Sequence, residues 1–399
     1  MPEINTGDMI RLERERRGLN TISLATQAGC TPRYIELIEN GKRTPSLPLL
    51  RSIAKALGVR TAMLLGEHPR DDHQAGRPQL ASIERAIFTY RTLGPNLEPP
   101  TVEQLQERVH AARDAWFTSP HRYTLLMRVL PGLISDAERL VLDGGNHRDA
   151  CRVASDTYIL SRGVLKHLGR VDLAHLAADR AMRYAEETGD ALMIGWAHWC
   201  LGQSMLSDDM HEVAYDVARR GIELFEPAVA GGDDRHLSVL GALNLMASIG
   251  LTRSGGGQEA RDILRGEASR LAARLGNEQA NHFGLAFGPT NVAIHMTSIE
   301  CETHNAEAAL RVAEEIDLTR VPSVERRTTH LFQVARACGD LGDDAASLLY
   351  LMRIERECPE ELDHKMLLRD MVRSMAVRAP RSWAPEVRYL AERHNIHPN

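Results

Sequence analysis

The chain has 399 residues, 43% hydrophobic and 26% charged, with a net charge of −6. That length exceeds one compact core, and that hydrophobic share excludes wholesale disorder. No apolar run reaches the roughly 18 residues of a spanning helix, and Met1 to Asn5 lacks the charged and apolar regions of a signal peptide, so a cytoplasmic chain with no membrane association is expected.

Aromatic residues make up only 5% while Ala and Leu abound, which favours helices packed on helices. Five short helical patterns lie between Thr6 and Leu65, each with its own punctuation. The first starts at Thr6, an N-cap type, and closes at Gly18. The second follows Asn20 and runs from Thr21 to Ala28, before Gly29. The third has Thr31 at the cap and Pro32 at the first helical position, where a missing amide hydrogen costs nothing. The fourth follows Ser46 and carries Leu49, Leu50, Ile53, Ala54 and Leu57 at helical spacing, closed by Gly58. The fifth covers Thr61 to Leu65. The tight turn Ala28-Gly29-Cys30 between the second and third patterns has helix-turn-helix spacing, which lays the front of the later helix into the major groove of DNA.

Charge separates along the chain. Residues 1–66 hold ten Lys/Arg against six Asp/Glu, and the remainder holds 38 against 48. A basic head on an acidic body is what a DNA-binding domain joined to a non-DNA-binding domain requires.

The stretch from Gly18 to Val59 resembles the phage-repressor (Cro/cI, or XRE) family. Leu24-Ala25, Gly29, Tyr34-Ile35, Ile38-Glu39-Asn40-Gly41-Lys42, Pro45-Ser46-Leu47 and Ala54-Lys55-Ala56-Leu57-Gly58 carry the resemblance. It implies a recognition helix whose Thr31, Pro32, Arg33, Tyr34 and Leu37 lie at the DNA. Arg33 is the one long hydrogen-bonding side chain there, suited to a bidentate contact with guanine. It implies phosphate contacts from Thr21, Asn40, Lys42 and Arg43, which set register more than sequence preference. It also implies a structural ion pair between Arg14 and Glu39. Three positions depart from the family pattern. Pro32 and Leu37 stand where polar readers are common, and Glu13 stands where an apolar residue is usual.

Beyond the head, residues 67–78 read as a polar Gly/Pro linker, and 79–120 as connecting helices at Gln79–Leu93 and Thr101–Phe117. From 121 to 399 amphipathic helices alternate with turns at Gly169, Asp208-Asp209, Gly255-Gly256-Gly257, Thr303-His304-Asn305 and Gly342-Asp343-Asp344. Small residues open many second helices, as at Ala174, Ala177 and Ala178, and let helices approach closely. Trp196 to Gly202 resembles the opening of a tetratricopeptide repeat with altered spacing. The fold expected is therefore all-α: a five-helix XRE-type head followed by a tetratricopeptide-like α-solenoid.

A head and body of this kind resemble the peptide-pheromone receptors of Gram-positive bacteria and a group of actinobacterial regulators. The resemblance implies a homodimeric, DNA-binding transcription regulator, with quorum sensing as one setting. Its double-stranded operator would be released or bound as a peptide or small-molecule effector enters the helical groove. The groove positions are Trp196, Trp199, Gln203, Asn244, Phe287, Asn291, His295, His330 and Gln333. Within each helix they fall three, four or seven apart on one face. The same residues would alternatively satisfy helix ends and contacts between repeats. The segment His282 to Asn291, interrupted by two glycines and Pro289, reads either as a bend toward the groove or as a structural kink. The rival function class is a protein-interaction adaptor with secondary DNA binding. No Walker loop, GxSxG elbow, HExxH or GxGxxG pattern occurs, so no enzyme and no cofactor are expected. The six cysteines, with no CxxC pair and no histidine seen at zinc spacing, read as small thiols in a reducing compartment, and no metal site is expected.

Overall fold

The computed structural model describes residues 6–65, 77–89, 98–143, 145–230, 232–276 and 281–397. Every regular element among them is helical, and none is long and apolar enough to cross a membrane. The chain forms two compact units. One comprises residues 1–72, 300–314 and 328–399, and the other 73–299 with 315–327. The grouping differs from the division expected from sequence, which keeps 121–399 together. The linker expected at 67–78 lies outside the described residues up to 76, and Arg77 and Pro78 open a helix that ends at Phe88. The end of the helix expected at Gln79–Leu93 also lies outside the described residues.

The head is α1 (Thr6–Arg16), α2 (Thr21–Ala28), α3 (Pro32–Glu39), α4 (Leu47–Leu57) and α5 (Thr61–Leu64). Local chemistry sets these ends. Asn20, Thr31 and Ser46 each accept a backbone N–H of the first turn through the side chain, satisfying a donor the helix leaves open. Gly29 closes α2 at φ 74°, a left-handed conformation that a side chain would strain. Ile10, Leu24, Ile35, Ile38, Ile53 and Leu57 then meet in one core.

The same unit wraps this core with chain from the far end. Met366 and Leu367 pack against the head core. Both lie on the helix Met366–Arg378. Thr6 Oγ1 donates to Asp370 Oδ1 at 2.7 Å, buried. Thr44, in the loop after α3, hydrogen-bonds Ser374 and accepts from Arg378 Nη1 at 3.1 Å. Arg51 of α4 pairs with Glu302.

The second unit stacks antiparallel helices in sequence: 102–118, 122–142, 147–167, 171–188, 191–207, 211–229 and 234–253. Each packs on the next. Helices 102–118, 147–167, 191–207 and 234–253 also touch the next but one, forming a continuous inner layer. This is the solenoid-like body the helical pattern predicts. The small residues do what their spacing requires: Ala174, Ala177, Ala178, Ala214 and Ala218 have no solvent exposure. The turns fall where expected, with Gly169 and Asp209 at positive φ.

Candidate nucleic-acid interface and ligand cavity

On α3 the buried side is Ile35, Ile38 and Glu39. The opposite side carries exposed Thr31, Arg33 and Asn40, with Pro32, Tyr34 and Leu37 half-buried beside them. Thr31 Oγ1 accepts the Tyr34 N–H at 3.2 Å, which uses one of its two lone pairs and leaves its O–H to donate. Tyr34 leans on the head core. Thr21 sits half-buried at the first position of α2, and Lys42 and Arg43 are exposed after α3. The expected DNA-facing residues thus lie at the start of α2, along α3 and its two caps, and in the loop just after it. Arg33, with 77% of its side chain exposed, is bonded to Glu36 at 3.2 Å. Sequence reasoning missed Glu36. Its separation of three from Arg33 was the signal.

Behind this surface, Arg14 donates to Glu39 through two nitrogens at 2.6 and 2.8 Å and to the Leu19 carbonyl at 2.9 Å. The bond to Glu39 holds the guanidinium charged more firmly than usual, against the opposing effect of burial. This is the ion pair the family resemblance implies. Glu13, the departure from an apolar residue, is also buried, and Arg16 and Arg17 hold it. Burial alone raises its pKa, but the bonds from Arg17 and Arg16 bring the carboxyl below its ordinary value.

In the second unit the inner helices line a cavity that is partly open to solvent. Trp196, Trp199, Gln203, Asn291 and His295 line it. The other expected groove residues do not reach it. Asn244 is buried and donates to its own helix at Leu240 O, 2.9 Å. Phe287 is buried against Gly241, where any Cβ would strike its ring at about 2 Å. His330 and Gln333 belong to the other unit, where both are buried and Gln333 accepts from Arg336 at 2.8 Å.

From Asn281 to Gly288 the chain is not a bent helix. Asn281, Phe283, Gly284 and Ala286 all have positive φ, conformations that non-glycine residues adopt only when surroundings hold them. The Asn281 side chain accepts the Ala286 N–H at 2.8 Å. The result places Phe283 over Trp196, ring centroids 4.5 Å apart. It sets Gly284 against Phe117, where a Cβ would sit 1.9 Å from the ring.

Sequence reasoning also missed the charged wall of this cavity. Arg113, Arg162, Lys166, Glu325 and Arg326 line it. Arg113 pairs with Asp156 and lies 5.0 Å from the Trp196 ring, and Arg326 pairs with Glu325 at 2.6 Å. Arg162 stands 5.1 Å from the Trp199 ring. Burial, with Arg162 beside it, pulls the Lys166 pKa down to about 7. Burial likewise takes His295 down to about 4, keeping it neutral. The signal for Arg162 and Lys166 was a basic pair four apart in the apolar stretch that starts at Tyr158.

Elsewhere in this unit His147, Cys151 and Glu187 bring one donor atom each within 4.8 Å. Cys151 Sγ lies 3.5 Å from His147 Nε2 and 3.4 Å from Glu187 Oε2, and the latter two are 2.8 Å apart. The expectation that no histidine stands at metal-ligand spacing from a cysteine is thus corrected, because positions 147 and 151 share a helix face one turn apart. As they stand, the three satisfy one another by hydrogen bonds.

Residues 10–64 match the family model described as "Helix-turn-helix". The head is a helix-turn-helix domain of the XRE type. Over 64 residues the chain is 33% identical to an immunity repressor protein of Bacillus phage phi105; the stretch is 16% of this chain and 44% of the repressor, so the chain spans less than half the length of that relative. Among solved structures, PlcR of Bacillus thuringiensis in complex with the peptide PapR7 and DNA matches at 14% identity, covering 68% of this chain and 96% of that one, with a TM-score of 0.31. ComR from S. thermophilus in complex with DNA and its signalling peptide ComS matches at 12% identity, 88% of this chain and 99% of that one, also at 0.31.

Proposed function

We propose that the protein is a sequence-specific DNA-binding transcription regulator that acts as a homodimer and answers to an effector, a peptide or small molecule, held in the helical body. The observation that carries this reading is the head: a matched helix-turn-helix whose recognition helix keeps Arg33 and Asn40 exposed, with Lys42 and Arg43 exposed just beyond. Arg33 reads a base edge, and Thr21, Asn40, Lys42 and Arg43 engage phosphates. Two copies present two such helices to half-sites about 34 Å apart or a multiple of that. The cavity lined by Trp196, Trp199, Gln203, Asn291 and His295 is where the effector binds. An effector acts only through different affinities for the DNA-bound and free states.

Genome-wide mapping of bound DNA tests the reading, followed by a gel shift on the recovered site with and without Arg33→Ala. A reproducible near-palindromic site lost by the variant is the expected result. Absence of any enriched site, together with recovery of one stable protein partner, would establish the adaptor instead.

A further inference from the structure

We propose that the cavity of the second unit takes an organic anion, a carboxylate carried on an apolar and preferably aromatic body, with Arg162 and Lys166 receiving the charge and Trp196, Trp199 and Phe283 the body. This names the ligand class of the effector site and rests on the reading given above.

The charge balance comes first. Four cations line the wall, Arg113, Arg162, Lys166 and Arg326, against one carboxylate, Glu325. Arg113 and Arg326 have partners in Asp156 and Glu325. Among the described residues, no carboxylate stands within ion-pair distance of Arg162 or Lys166. These two lie four apart on the helix His147–His167, a spacing that faces like charges toward each other. Arg162 is 5% exposed, and its Nε has no hydrogen-bond partner. An isolated buried charge is costly unless something pairs with it. An anion between the two side chains supplies that partner and makes charge-assisted hydrogen bonds. Burial first, and then the neighbouring Arg162, lower the Lys166 pKa by more than Glu325 raises it, so an anion placed beside Lys166 restores its charge.

The body of the ligand follows from the rest of the wall. Trp196, Trp199 and Phe283 are joined by aliphatic surface from Leu160 and Leu245. Apolar walls with a few convergent polar groups are the usual makeup of a small-ligand site. Two of those polar groups are open: Trp196 Nε1, a donor, and Asn291 Oδ1, an acceptor, are both buried without partners. They select a ligand carrying an acceptor and a donor beside its apolar part. A free aromatic acid and the C-terminal residue of a peptide share this chemistry.

The test is calorimetry and thermal shift on the full chain with four probes: naphthalene-2-carboxylate, its neutral amide, and a hydrophobic tripeptide with a free or an amidated C-terminus. The expected result is that a carboxylate binds at least about tenfold tighter than its amide. Whichever carboxylate prevails identifies the source. Lys166→Met is expected to remove that preference while the ligand-free protein melts at the same or a higher temperature, because an unpaired buried charge has gone. Arg162→Gln is expected to weaken the acid in the same way. Equal binding of acid and amide, or a preference untouched by Lys166→Met, overturns the anion inference. If the amides bind and Trp199→Ala abolishes that binding, the cavity remains an effector site of other chemistry. If no probe binds at about 10 mM, near the weak limit of useful affinity, the anion inference falls; effector control falls with it only if cell extract also leaves operator binding unchanged.

Discussion

Thr6 and Asp370 stand 364 residues apart in sequence and share a buried 2.7 Å hydrogen bond. The first residue of the first head helix is thereby tied to the helix Met366–Arg378. Burial raises the Asp370 pKa, and Thr6 and Arg373 partly offset this. Met366 and Leu367 cover part of the head core one turn earlier on the same helix. The helix-turn-helix head is therefore not built from its own sixty residues alone. Thr6→Val leaves a buried carboxyl short of a donor and should cost about 1–3 kcal/mol. Urea unfolding of the full chain measures it. A change below a few tenths would mean that water replaces Thr6.

The Arg14–Glu39 pair is the next test of the head. Its side chains are 11% and 7% exposed, so screening is slight. Glu39→Leu or Arg14→Met strands a charge and should destabilise by about 3–5 kcal/mol. The double variant Arg14→Met with Glu39→Leu should recover most of that loss. Melting temperatures of the three variants decide it, and strict additivity would show that the pair does not act as a unit.

DNA binding should divide between reading and grip. Arg33→Ala should reduce discrimination between the operator and a one-base variant by about 1–3 kcal/mol. Lys42→Ala should instead weaken all sequences alike and flatten the salt dependence by about one charge. Glu36→Gln releases Arg33 from its 3.2 Å contact and removes a negative charge near phosphate, so affinity should rise for every sequence. Fluorescence anisotropy at several salt concentrations separates these outcomes.

Acid should weaken the first unit through His330, whose pKa burial lowers to about 4, with Arg353 adding to the effect. The unfolded chain then binds its proton near pH 6.5, well before the folded one does. Stability from this residue is complete above pH 6.5 and falls as pH drops toward 4, by about 3 kcal/mol at most. His330→Gln should flatten that part of the profile. Unfolding free energies at pH 7.5 and 5.0 provide the check, and a variant as acid-sensitive as the parent would assign the effect to other groups.

What the residues announce and what they conceal follows from the range of the interactions. Asn20, Thr31, Ser46, Gly29 and Gly58 act on backbone groups within a turn of themselves, so the ends of the head helices were readable from adjacent letters. The turns of the body were readable for the same reason. Trp196, Trp199 and Gln203 were readable as one face of one helix, and they do share a cavity. Asn244 shows the limit, because the same periodicity serves a residue that merely bonds its own helix.

Residues close in sequence already specify a helix-turn-helix head, a body of paired helices and the positions of their turns, because caps, glycines and apolar periodicity operate over three or four residues. Tertiary structure alone decided that residues 366–378 complete the head, that Phe283 folds over Trp196, and that Arg162 and Lys166 line a cavity with no matching carboxylate. Those facts depend on contacts tens to hundreds of residues apart, where no local preference records which side chain will meet which.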